Sequence, residues 1–109
     1  TCGSLSFRVR RTGSAFTYTA FFPDAAVKIE GEFRFWAEKR DAGRQYEAFF
    51  CSACGVTVFT RLEALPGLTG VAVGCLADPA FERPQGFYWV SRRHHWLALP
   101  EGVPIHQTQ

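Results

Sequence analysis

The sequence predicts an all-β domain of about eight short strands. Three observations predict it. Apolar and polar residues alternate at period two along most of the chain. Turn residues interrupt the alternation at near-regular spacing. No stretch carries the 3.6-residue period of a long amphipathic helix. At 109 residues, positions 1–109 fit a single domain.

The strands read off in order. Leu5, Phe7 and Val9 alternate with Ser4, Ser6 and Arg8, the pattern of a half-buried strand. Residues 15–22 are rich in Phe, Thr and Tyr, and Pro23-Asp24 stops them. Val27 and Ile29 alternate with Lys28 and Glu30 until Gly31. Residues 32–37 carry Phe33, Phe35 and Trp36 as a further strand, and Asp41-Ala42-Gly43 reads as the turn after it. Residues 45–51 resume with Tyr46, Phe49 and Phe50, and residues 56–60 form the next strand, entered from Gly55. A loop around Pro66-Gly67 leads to residues 70–76, a run of small apolar residues expected to be a strand buried on both faces. Residues 77–86 hold two prolines and read as irregular, with one helical turn over 78–81. Residues 87–91 form an aromatic strand, and Pro100, Gly102 and Pro104 punctuate the tail.

Composition narrows the function. Hydrophobic residues are 47% of the chain and include 11 phenylalanines, enough for a core and too many for a disordered segment. The net charge of +2 leaves no basic face for nucleic acid, and Arg10-Arg11 and Arg92-Arg93 read as solvated surface. Phe87-Tyr88-Trp89 therefore reads as core material and not as a base-stacking platform. No apolar run approaches the roughly 20 residues that span a bilayer, and no secretory pattern opens the chain. The expected setting is the reducing cytoplasm, with no membrane partner. Because the sequence starts at Thr1 and contains no methionine, it is expected to be part of a longer natural chain.

The strongest chemical signal is Cys51-Ser52-Ala53-Cys54-Gly55. Two thiols separated by two residues reach one ion across a tight turn, and zinc takes thiolates at about 2.3 Å in a tetrahedron. Gly55 supplies the positive φ that aims backbone amides at the sulfurs. A redox pair would open a helix in a βαβ setting, whereas this motif lies between two strands. Two cysteines do not close a site. Cys2, followed by Gly3 just before a strand, is the expected third ligand, and the fourth is expected just before Thr1. Cys75 reads as a small core residue, His94-His95 as a surface pair, and His106 stays open as a ligand. Asp78 reads as a turn-capping carboxylate.

Several segments together resemble the glutathione-dependent formaldehyde-activating enzymes, the group that includes centromere protein V-like proteins. Cys2-Gly3 with its following strand is similar to the family's opening. So are Thr12-Gly13-Ser14-Ala15-Phe16-Thr17, Phe50-Cys51-Ser52-Ala53-Cys54-Gly55 and Val73-Gly74-Cys75-Leu76-Ala77-Asp78-Pro79 to its later motifs. Trp89-Val90-Ser91-Arg92, Trp96-Leu97 and Gly102-Val103-Pro104 resemble its C-terminal run. The order is the family's, and the match covers most of the chain.

The resemblance implies a zinc-binding β-sandwich or tent of the Mss4-like kind. It implies a structural zinc on Cys2, Cys51, Cys54 and a cysteine preceding Thr1. It also implies a second, catalytic zinc on a CxCxxC motif, but Val9 runs directly into Arg10-Arg11-Thr12 with no cysteine between. Either a loop of the natural chain belongs at the junction of Val9 with Arg10, or the protein lacks it. The loop is the expectation, because fusing two strands with no turn residues is hard to fold. With the loop, the implied activity is carbon–sulfur lyase chemistry joining glutathione or another thiol to formaldehyde or a similar electrophile. Gly13 and Ser14 would then line the substrate pocket. Without it, the alternative is a non-catalytic, zinc-stabilised binding module.

Overall fold

A computed structural model describes residues 2–6, 13–39 and 44–107, with residues 2–5 described by their backbone alone. Seven strands run in chain order: β1 Cys2–Ser6, β2 Thr17–Pro23, β3 Phe33–Lys39, β4 Gln45–Cys51, β5 Thr57–Leu62, β6 Leu68–Ala72 and β7 Gly86–Tyr88. They form one sheet in the order β3-β4-β5-β6-β2-β1-β7. Every pairing is antiparallel except β1 with β7, which is parallel. Three short 3-10 turns, Asp24–Ala26, Val73–Leu76 and Val90–Arg92, are the helical elements among the described residues. The all-β expectation is met.

Period-two alternation gives the sheet one strongly aromatic face. The register sets Phe35 opposite Phe49 and Phe49 opposite Phe59. The Phe49 and Phe59 rings stack at 4.4 Å, and Phe33 meets both edge-on at 5.8 and 5.5 Å. Such pairs add about 0.5–1.5 kcal/mol each beyond their buried area. The Arg61 guanidinium lies over both stacked rings at 5.5 and 5.7 Å.

A second cluster closes the other end. Phe87 and Val90 are buried against Leu97, Leu99 and Val103. The tail runs beside β7: Phe87 N–H donates to Pro104 O at 2.9 Å, and His106 N–H donates to Phe87 O at 2.7 Å. Tyr18 holds the irregular stretch after β6 by donating its hydroxyl to Glu82 O at 2.6 Å and meeting Phe81 edge-on. Burial, and then the Glu82 carboxylate, push the Tyr18 phenol above its usual range.

The structure departs from the expected strands in three places. Val27 and Ile29 make no strand, because after Asp24–Ala26 the chain leaves the sheet and crosses its aromatic face. The run 70–76 leaves the sheet at Ala72 and coils into the turn Val73–Leu76, which Ala77 ends in the left-handed region at φ +51°. The aromatic strand stops at Tyr88, since Trp89 also adopts a left-handed φ of +58°. The one turn expected over 78–81 is present: Phe81 N–H donates to Asp78 O, and the Asp78 carboxylate accepts from Ala80 N–H at 3.0 Å. The expected turn at Asp41-Ala42-Gly43 lies outside the described residues.

Gly70 sits where three strands crowd. A Cβ there would meet Thr60 Oγ1 at 2.7 Å, Thr19 Cγ2 at 2.8 Å and Phe21 Cε1 at 2.9 Å. Overpacking of this kind costs about 1–3 kcal/mol. Gly70→Ala is expected to lower the melting temperature by several degrees (about 4–8 °C per kcal/mol at this size). Gly74→Ala, with open space around its Cβ, is expected to leave it near the parent value. Thermal unfolding followed by circular dichroism checks both.

Candidate metal centre

β4 and β5 form a hairpin, and its reversal carries the paired cysteines. The ladder runs from Tyr46 opposite Leu62 to Phe50 opposite Thr57, with a bulge at Phe49/Phe50. Cys51, the last residue of β4, donates its N–H to Val56 O at 2.9 Å and accepts at its carbonyl from Gly55 N–H at 2.9 Å. The chain turns within that bracket, and Gly55 takes φ +80°, a region that penalises side chains with a Cβ.

The turn aims donors at sulfur. Ala53 N–H donates to Cys51 Sγ at 3.4 Å. The Cys54 N–H, then the Ala53 N–H and the Cys54 thiol, hold the Cys51 thiol below the usual cysteine range. Both thiols are free, so no disulfide joins them; Cys51 is half-buried and Cys54 exposed. Zinc binds deprotonated thiolates, and a loop whose amides already solvate the sulfur favours that form. The donor set and the turn therefore fit half of a tetrahedral thiolate site.

The other expected ligands stand as follows. Cys2 opens β1 opposite Phe21, and β2, β6 and β5 lie between β1 and β4 in the sheet order. Its side chain lies outside the described ones. Among the described residues, no three or more His, Cys, Asp or Glu side chains gather as a metal cluster. The structure thus brings Cys51 and Cys54 together and does not describe their meeting with Cys2.

Cys75 corrects the sequence reading. It is exposed and not in the core, because the chain has already left β6 and turned. Its thiol donates to Thr57 O at 3.7 Å, beside the hairpin. His94 and His95 are exposed, as a surface pair should be, and His94 stacks on Trp96. His106 stacks on Tyr88 at 4.6 Å, at the opposite end of the sheet order from β3 and β4. Gly13, with φ +68°, and Ser14 are exposed just before β2. The junction of Val9 with Arg10, where the second cysteine motif would stand, lies outside the described residues.

One feature was not legible in the sequence. A cleft of about 530 Å³ opens beside Cys51, walled by Phe33, Phe49, Phe59 and Leu76 and rimmed by Lys28 and Glu30. Lys28 and Glu30 pair across the rim at 2.9 Å. The only sequence signal for it is the short alternation at Val27 and Ile29, which faces the aromatic sheet without joining it.

Two outcomes follow from the turn. In metal-free protein, alkylation of Cys51 is expected to reach half its maximal rate at a pH below that of a free cysteine thiol, since its thiolate forms earlier; mass-resolved iodoacetamide labelling across pH checks this. Gly55→Ala is expected to cost about 1 kcal/mol or more through its positive φ and to weaken zinc retention against a chelator.

Comparison with individually curated proteins returns no match. Against protein families, the model described as glutathione-dependent formaldehyde-activating enzyme matches residues 8–92, a span that includes the Cys51–Gly55 turn and the cleft beside it. The chain belongs to the glutathione-dependent formaldehyde-activating enzyme family.

Proposed function

We propose that the chain is a zinc-dependent enzyme of the carbon–sulfur lyase type, joining glutathione or a similar small thiol to formaldehyde. The observation that carries this is the Cys51–Gly55 turn, a free thiol pair with backbone amides aimed at sulfur, in a chain of this family. Zinc bound by thiolates with an open position lowers the pKa of an incoming thiol and fixes its sulfur.

The reaction needs little else from the protein. The thiol sulfur forms a bond to the carbonyl carbon, the C=O π pair moves to oxygen, and the thiol proton ends on that oxygen as S-hydroxymethyl product. Cys51 and Cys54, with Cys2 as the expected third ligand, would hold a structural zinc ion and so pin the hairpin. Gly13 and Ser14 stand where the chain returns from the segment expected to hold the catalytic thiolates, and their role is to line the thiol's pocket. Glutathione as partner and free cysteines both fit a reducing, cytoplasmic setting. Among the described residues, no helix is long and apolar enough to cross a membrane.

A second reading rests on a specific observation. No cysteine stands between Cys2 and Cys51, so a catalytic thiolate triad is not encoded in this stretch of sequence. A chain with one zinc and no turnover would be a zinc-stabilised binding module of the same fold.

Metal analysis with a proton NMR assay for S-hydroxymethylglutathione separates the two. The enzyme reading expects two zinc ions per chain in the natural full-length protein and product formation above the spontaneous rate. One ion with no acceleration sinks it in favour of the module. Cys51→Ser or Cys54→Ser is expected to lose the structural ion and lower thermal stability in either case. Ser14→Ala and Gly13→Ala are expected to raise KM for the thiol severalfold; unchanged kinetics in both would remove them from the pocket.

A further inference from the structure

β3 is an edge strand that nothing among the described residues covers, and it is unusually apolar for one. Phe33, Phe35 and Trp36 are 45%, 60% and 50% exposed. A long apolar edge is a template for pairing with another strand, and soluble proteins normally blunt it. This edge carries no proline and no break over its seven residues.

The hydrogen-bond parity of the edge follows from its neighbour. Cys51 directs both its N–H and its C=O at the β5 side of β4, and Glu63 N–H donates to Gln45 O on that side too. Odd residues of β4 therefore bond to β5 and even ones to β3, since the two directions alternate along a strand. Phe50 and Ala48 pair with Arg34 and Trp36, so the even residues of β3 are satisfied by β4. Phe33, Phe35, Ala37 and Lys39 turn their N–H and C=O groups to the open edge.

We propose that this edge is a homodimer interface, in which two copies pair their β3 strands antiparallel about a twofold axis at Trp36. In that register each residue i faces residue 72 − i of the other copy. Phe35 then exchanges backbone hydrogen bonds with Ala37, and Phe33 with Lys39, about eight bonds in all. Trp36 faces its own counterpart in the close, non-hydrogen-bonded position that favours aromatic pairs.

Charge selects both the occupant and the register. Arg34 faces Glu38 of the second copy, twice by symmetry, and neither side chain has an ion-pair partner among the described residues. Phe35 packs over the small Ala37, and Lys39 lies across Phe33. Moving the axis to Phe35 would set Glu32 against Glu38, a like-charge pair, in both halves. The strand is thus complementary to itself about one axis, as an isologous interface requires.

Sedimentation equilibrium and amide hydrogen exchange on the full chain test this. The expected result is a concentration-dependent dimer in which the amides of Phe33, Phe35, Ala37 and Lys39 gain protection as the dimer forms, while those of Arg34, Trp36 and Glu38 are protected throughout. Arg34→Glu is expected to weaken the dimer roughly tenfold or more through two like-charge contacts. Adding Glu38→Arg is expected to restore it to within about threefold, with circular dichroism confirming that both variants fold. A monomer at all concentrations overturns the proposal, including one whose edge amides are already protected because other parts of the chain cover them. So does a dimer whose four odd-numbered amides exchange freely, or one that Arg34→Glu weakens and the double exchange does not rescue. If Arg34→Glu unfolds the chain, the exchange pattern of the unsubstituted protein decides alone.

Discussion

The reversal between β4 and β5 constrains the rest of the molecule. Its bracket of hydrogen bonds from Cys51 to Val56 and Gly55 does three things at once. It ends β4, it places two thiols within reach of one ion, and it fixes which way every backbone group of β4 points. That direction passes across the ladder to β3, so the parity of the open edge is set at the cysteine turn. The bulge at Phe49/Phe50 sits just inside the bracket, where a local increase in twist accommodates the tight reversal. The Phe49–Phe59 stack behind it fixes the pair of strands that presents the cysteines.

Much of the fold was legible because it is local. The aromatic run of Tyr46, Phe49 and Phe50 marks β4, and Pro23 closes β2 through its fixed φ. The misreadings share a different cause. Val27 and Ile29 alternate like a strand, but a strand is defined by a partner, and these residues find an aromatic surface in place of a ladder. Residues 73–76 look like more of β6, yet the chain coils there and Ala77 bends it away in the left-handed region. Sequence pattern reports what a residue avoids; it does not report where the chain has stopped pairing.

The site was legible in the same uneven way. Cys51, Cys54 and Gly55 lie within one turn, so their spacing alone encodes their geometry. Cys75 was misplaced because a small thiol in an apolar run carries no mark of the turn that exposes it. The cleft beside Cys51 joins residues from the 26–32 crossing, five strands and the turn after β6, and no window of sequence holds them together. The family assignment supplies what spacing cannot, namely a formaldehyde-activating, glutathione-related context for the fold.

The position of β1 has its own consequence. It lies between β2, which follows it closely, and β7, to which it runs parallel near the far end of the chain. Its first edge is satisfied early in synthesis and its second must wait. Until Gly86–Tyr88 has emerged, β1 presents the amides and carbonyls of one edge unpaired. Closure of so distant a pairing is slow, because the chain loses entropy before any bond repays it. A nascent chain shortened before residue 86 would therefore leave β1 paired on its β2 side alone.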